Sequence, residues 1–389
     1  MESHAAAAAT NMVLRDGVIL LGAAMFFVAL FRHFGLGAVL GYLVAGALIG
    51  PDGFGLVARA EDILPIADFG IVLLLFLVGL ELHPARLWRL KRDIFGLGLL
   101  QVAASGAVLA ALVYFAAGFS LAAAIAIGLP LALSSTAQVL PSLRASGEIN
   151  TPPGERAFSI LLFQDLSIVP LITIIVALSR AAPDPNAPTG WQMALYTVGA
   201  IAFLVVAGRF LINPLFRLVG RVSERELFVV AGLFTVLASA AVMQSLHLST
   251  ALGAFVAGVM LADSPYRHEL EADIEPFRSI LLGLFFVAIG MMLDLGAIAT
   301  RPWFVLGMAA ALIAIKAAVL FGIARLFGME GRRALKLGLL LSQGGEFAFV
   351  LFTAAQNAHL IAPDAASLFA AIVTVSMAST PFLMMLNDW

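Results

Sequence analysis

Long apolar runs constrain this chain more than any other feature. Runs of about 20 mostly apolar residues recur along its whole length, and that is what an α-helix needs to cross a hydrocarbon layer of roughly 30 Å. Only 12% of its 389 residues are charged and 62% are hydrophobic, where a soluble domain carries about 25% charged residues. Backbone amides in lipid must be bonded inside helices or closed barrels, so these runs predict an all-α, polytopic membrane protein with lipid as its surroundings. The net charge of −2 argues against a nucleic-acid partner, which calls for a concentrated basic surface. The absence of cysteine removes disulfides, thiolate metal sites and redox thiols. The opening MESHAAAAATNM lacks the basic region of a cleavable signal, so the first apolar run is expected to remain as a helix.

Thirteen spans are read, at 13–32, 36–50, 62–82, 93–116, 119–145, 154–179, 191–220, 224–246, 248–263, 271–293, 301–327, 332–359 and 364–386. The stretch Arg180 to Gly190 (RAAPDPNAPTG) reads as an external loop. Lys and Arg set orientation, because they concentrate in cytoplasmic loops. With Arg86, Arg89, Lys91 and Arg92 placed inside, Arg32, Arg144, Arg156, Arg217, Arg221, Arg225, Arg267, Arg278, Arg332, Arg333 and Lys336 fall on the same side. Arg15, Arg59, Arg180 and Arg301 fall opposite. Fifteen against four predicts an external N-terminus and a cytoplasmic C-terminus.

Two stretches repeat. LGAVLGYLVAGALIGP (36–51) and LSTALGAFVAGVMLAD (248–263) share Leu36/Leu248, Leu40/Leu252, Gly41/Gly253, Val44/Val256, Ala45/Ala257 and Gly46/Gly258. LALSSTAQV (131–139) matches LLLSQGGEF (339–347), and Pro170 corresponds to Pro381, at nearly the same offset. The second span thus pairs with the ninth, an odd shift that inverts topology. An inverted repeat of five helices is expected, one copy over 36–179 and the other over 248–386, with a substrate site at mid-membrane between them. Matched weak points, Ser134-Ser135-Thr136 in span five and Gly344-Gly345 in span twelve, predict two crossing discontinuous helices. Two adjacent glycines cost about 2 kcal/mol of helix propensity, and irregular backbone at this depth survives only around a buried or water-lined site.

An ionised group at bilayer centre costs at least about 2.5–3.5 kcal/mol, so each needs a partner or a task. Asp165, in AFSILLFQDLSIVPL, is the strongest candidate. A carboxylate offers oxygen to a hard cation and takes up a proton when the cation leaves. Gln164, Ser134, Ser135 and Thr136 are the expected additional oxygen donors. Lys316 either pairs with Asp165 or neutralises carbonyl ends at the crossing. Glu346 beside the Gly-Gly break is expected to pair with Arg325, the alternative being an acid of a cytoplasmic ion vestibule. Asp68, Glu81, Asp263 and Asp294 fall near span ends and read as interfacial. Nothing resembles metal-ligand spacing, a nucleophile–base order or a phosphate loop, so no enzyme chemistry and no cofactor are expected. The densely charged YRHELEADIEPFR (266–278) reads as a cytoplasmic loop, either plainly solvated or a docking surface for a regulatory domain; it contains Arg267, His268, Glu269, Glu271, Asp273 and Glu275.

The segments GAVLGYLVAGALIGP, LVGLELHPARLW, LALSSTAQ, LLFQDLSIVPL, LGAFVAGVMLADSPYRHELEADIEPF, LLGLFFVAIGM and SQGGEFAFV together resemble the Kef glutathione-gated potassium efflux proteins of bacteria, in the second monovalent cation:proton antiporter family. The resemblance implies electroneutral K+/H+ exchange with K+ at Asp165, a bacterial inner-membrane location and a homodimer. It also implies a mobile core of spans five, six, twelve and thirteen with their neighbours, and an interface of spans one, two, eight and nine. Related sodium/proton exchangers carry two aspartates where this chain has Gln164-Asp165. Such proteins continue into a cytoplasmic nucleotide-binding regulatory domain gated by glutathione and its adducts. That domain is expected after residue 389, or as an ancillary subunit, so glutathione and nucleotide sites are not expected within these residues. Two other functions stay open: Na+/H+ exchange on the same fold, and a ligand-gated potassium channel. A channel calls for a carbonyl-lined filter, and no TVGYG-like segment occurs.

Overall fold

A computed structural model describes residues 2–57, 63–81, 84–179, 190–222, 225–246, 250–262 and 264–388. Most of the proline-rich loop (180–189), Asp263, Arg59 and Leu248 lie outside the described residues. In chain order the helices are α1 (Glu2–His33), α2 (Ala38–Ile49), α3 (Leu64–Glu81), α4 (Pro84–Arg92), α5 (Leu99–Ala117), α6 (Leu121–Leu131), α7 (Thr136–Ala145), α8 (Pro152–Ala177), α9 (Gly190–Ala207), α10 (Asn213–Val222), α11 (Arg225–Ser245), α12 (Thr250–Leu261), α13 (Arg267–Met291), α14 (Leu295–Thr300), α15 (Pro302–Leu326), α16 (Gly331–Leu340), α17 (Phe347–Asn357) and α18 (Pro363–Asp388). π-Helical turns at Asp93–Gly98 and Gly208–Ile212 join α4 to α5 and α9 to α10. Among the described residues there is no strand.

Among the described residues, eight helices are long and apolar enough to cross a membrane, and five apolar helices are shorter, at 10–17 residues. Together they answer to the thirteen spans of the sequence. Local chemistry sets several boundaries. The Thr151 hydroxyl accepts from Gly154 N at 3.4 Å and starts α8, with Pro152 in its first turn. Pro there gives up only an N–H that has no helical partner. Ser120 opens α6 in the same way, accepting from Ala123 N at 3.3 Å. Gly118, at φ 73°, ends α5 in the left-handed conformation that glycine adopts without penalty.

The charged stretch expected as a loop is instead helical. Arg267, His268, Glu269, Glu271, Asp273 and Glu275 form the first turns of α13. Alternating Glu, Leu and Ala favour helix, Glu269 sits in the first turn where the helix dipole favours an acid, and Arg278 pairs with Glu275 one turn away. Asp273 is buried. The same continuity holds at α4, where Arg86, Arg89, Lys91 and Arg92 extend the fourth span as helix rather than loop.

The chain divides into two compact units. One comprises Met1–Ala60, Leu90–Ala181 and Phe286–Trp389; the other comprises Glu61–Arg89 and Ala182–Phe285. Spans one and two fall in the first unit with the broken helices, and spans eight and nine in the second. α2 packs tightly on α1 and on the end of α13, all within the first unit.

Glycine makes that packing possible. A Cβ on Gly41 would stand 2.7 Å from Val28 Cα of α1, and one on Gly46 would strike Val287 O of α13. In the second unit, a Cβ on Gly253 would strike Ser239 O of α11, and one on Gly258 would strike Phe76 O of α3. The glycines that match in sequence therefore do matching work, each short helix packing backbone to backbone on the span before it and on one further span. Close approach through small residues is what binds helices where lipid removes the hydrophobic drive.

Candidate functional site

Within the first unit two helices are interrupted. Residues 132–135 separate α6 from α7, and residues 341–346 separate α16 from α17. The breaks cross in close contact: a Cβ on Gly345 would lie 2.6 Å from Ser134 O. Each break leaves carbonyls without helical partners at the end of one half-helix and N–H groups at the start of the next, carrying partial negative and positive charge respectively.

Lys316, from the middle of α15, meets the carbonyl ends. Its Nζ donates to Leu133 O at 2.6 Å, to Gln343 O at 2.6 Å and to Ser134 Oγ at 3.1 Å. An ammonium has three N–H donors, and all three are used. A neutral amine would leave an acceptor unmatched, so the geometry fits the charged form, in a side chain 0% exposed. Of the two roles open in the sequence, Lys316 fills that of neutralising the carbonyl ends.

The amide end of the crossing meets acids. Ser135 caps α7, its Oγ accepting from Gln138 N at 3.2 Å. Glu346 Oε1 accepts from Ala137 N at 3.1 Å, which places a carboxylate at the positive end of α7. Asp165, on α8, accepts from Thr136 Oγ1 at 3.3 Å. Asp165 is buried, whereas Thr136 and Gln138 are half-buried and Ala137 is exposed, so the start of α7 that it meets is partly exposed.

Gln164 and Ser134 are engaged elsewhere. Ser134 Oγ donates to Leu341 O at 2.7 Å and accepts from Lys316 Nζ and, at 3.3 Å, from Gln164 Nε2. A hydroxyl has one donor and two acceptor positions, and these are filled. The Gln164 oxygen accepts from Ser134 N at 2.7 Å, and its Nε2 also donates to Gln101 Oε1 at 2.8 Å. Of the five expected oxygen donors, Asp165 and Thr136 stand together at the partly exposed start of α7, Ser135 caps a helix, and Gln164 and Ser134 brace the break.

Arg325 does not pair with Glu346. It is exposed near the end of α15 and donates to Met329 O at 2.9 Å, in the turn that follows the helix. Asp294 caps α14, accepting from Ala297 N at 2.7 Å, and Asp68 lies exposed near the start of α3. Gln101 went unremarked in the sequence although it is 0% exposed. The signal was there: an amide inside an apolar span carries a desolvation cost and needs a partner, as Asp165 does.

A model of the transmembrane sodium/hydrogen exchanger family matches residues 19–385. The solved sodium proton antiporter MjNhaP1 from Methanocaldococcus jannaschii, at pH 8, superposes with a TM-score of 0.69 over 97% of this chain and 98% of that one, at 13% identity. At that identity the likeness is one of fold. The chain belongs to the sodium/hydrogen exchanger family and is a multi-pass cation/proton antiporter, a transporter rather than an enzyme. The channel reading left open by the sequence is set aside by this membership.

Proposed function

We propose that this exchanger moves K+ out of the cell in exchange for a proton, electroneutrally, with Asp165 binding either ion. The observation that carries this is the division of labour at the crossing. Lys316 has its three donors committed to Leu133 O, Gln343 O and Ser134 Oγ, whereas Asp165 accepts from the Thr136 hydroxyl at the partly exposed start of α7. One carboxylate that exchanges one K+ for one H+ moves no net charge. The proton and the cation exclude each other there, so the apparent cation KM rises as pH falls. Glu346 supports the site by holding the start of α7.

The choice of K+ rests on the resemblance of the Gln164-Asp165 pair and of the charged segment 266–278 to the Kef proteins. The same resemblance supports a bacterial inner-membrane homodimer with a glutathione- and nucleotide-responsive cytoplasmic domain or subunit. The charge bias supports an external N-terminus. Repeats over 36–179 and 248–386 suit alternating access, with the matched glycine contacts as support. Na+/H+ exchange is the second reading, favoured by the family's description and by the named cation of MjNhaP1.

The test is proton flux in proteoliposomes under imposed K+ or Na+ gradients. The reading expects proton movement driven by K+, insensitive to membrane potential. Flux driven only by Na+ moves the assignment to the second reading, and potential-sensitive flux overturns electroneutrality.

A further inference from the structure

Two amide side chains, Gln101 on α5 and Gln164 on α8, are 0% and 1% exposed. At this burial an amide must be bonded at both ends. Gln101 directs its Nε2 to Ala132 O at 3.0 Å and Ser105 Oγ at 3.3 Å, which turns its oxygen toward Gln164. That oxygen fixes Gln164 in turn: its Nε2 faces Gln101, and its oxygen faces Ser134 N at 2.7 Å. Turning the Gln164 amide over would set oxygen against oxygen at Gln101 and N–H against N–H at Ser134. Gln164 adjoins Asp165 in the chain, and Ser134 lies two residues before Thr136, whose hydroxyl meets Asp165 at 3.3 Å.

We propose that Gln101 and Gln164 form a latch that sets cation affinity by holding the α6–α7 break against Asp165, Gln101 being a positioning residue and Gln164 a strut rather than a cation ligand. This rests on the reading of Asp165 as the exchange site. With the latch released, the Ser134 amide loses its acceptor and the Thr136 hydroxyl is free to move from the carboxylate. The cation site then weakens more than the maximal rate falls.

The experiment is exchange in proteoliposomes over a range of cation concentration and pH, with Gln101→Leu, Gln164→Leu, the double variant, Gln101→Glu and Asp165→Asn. Gln101→Leu and Gln164→Leu are expected to raise the apparent cation KM by about tenfold each. The double variant is expected to be no worse than the poorer single one, because both remove the same latch. In Gln101→Glu, a protonated carboxyl can still donate to Ala132 O and accept from Gln164, whereas an ionised one has no proton to donate. Gln101→Glu should therefore match the parent at acid pH and lose affinity as pH rises, a limb the parent lacks. An unchanged KM in Gln101→Leu, additive effects in the double variant, or a KM in Gln164→Leu far above that of Gln101→Leu would overturn the latch. Should Gln101→Leu not fold, the Gln101→Glu profile decides alone, and a curve superimposed on the parent's refutes it. Asp165→Asn separates the two ideas: normal exchange in that variant removes the site itself, whereas the latch stands or falls on KM.

Discussion

Lys316 and Asp165, two of the charged side chains at the crossing, are held in opposite ways. Lys316 is 0% exposed and its donors are matched one for one by two carbonyls and a hydroxyl. Asp165 is 8% exposed, beside a half-buried threonine whose hydroxyl lies 3.3 Å away. A group whose bonds are saturated in a rigid frame has nothing to offer a passing ion; removing it costs structure. A carboxylate at the partly exposed, positive start of a half-helix suits the proposed exchange of a proton for a cation. On that reading one charge builds the crossing and the other uses it.

The strongest challenge to this contrast is Asp165→Asn. An amide neither ionises nor carries the proton, so exchange in proteoliposomes should fall to background, and retained exchange would refute the assignment. Next is Lys316→Met, which leaves Leu133 O and Gln343 O buried without a donor. At about 1–3 kcal/mol per unsatisfied group, the loss should be about 2–6 kcal/mol, read as a lowered unfolding midpoint in detergent; an unmoved midpoint would make Lys316 dispensable to the crossing. Gly345→Ala pushes a methyl to 2.6 Å from Ser134 O. Overpacking of about 1–3 kcal/mol should appear in the same melt, with slower exchange. Thr136→Val removes the hydroxyl that meets Asp165: the apparent cation KM should rise about five- to tenfold with the melt unchanged, and Thr136→Ser should restore it. The smallest effect is expected away from the crossing. Lys336 meets Glu148 at 2.8 Å with both side chains partly exposed, at 29% and 37%. Lys336→Ala should cost under about 1 kcal/mol and leave the cation KM alone.

Much of this was legible in the chain. The apolar runs yielded the spans, the matched Gly41/Gly253 and Gly46/Gly258 pointed to equivalent packing, and the Ser-rich and Gly-Gly segments marked both breaks. The charged segment 266–278 reads as a loop by its polarity, although its second half overlaps the tenth span at 271–293 and its composition favours helix; α13 takes in all of it from Arg267. Charge alone pairs Arg325 with Glu346; the first instead bonds the turn after its own helix, and the second meets a backbone amide. Gln101 was overlooked because it carries no charge.

The sequence by itself determined that the chain spans a membrane as helices, where those helices break, and which buried charges need an explanation. Lipid imposes these demands locally, on each run and each ionisable residue, so they can be read one segment at a time. Only the tertiary structure decided that Lys316 serves the carbonyl ends and that Gln164 and Ser134 brace the break while Thr136 donates to Asp165. Hydrogen bonds are exclusive: whether a donor or acceptor is free depends on which distant groups have already filled it, and that is settled by packing across helices rather than by position along the chain.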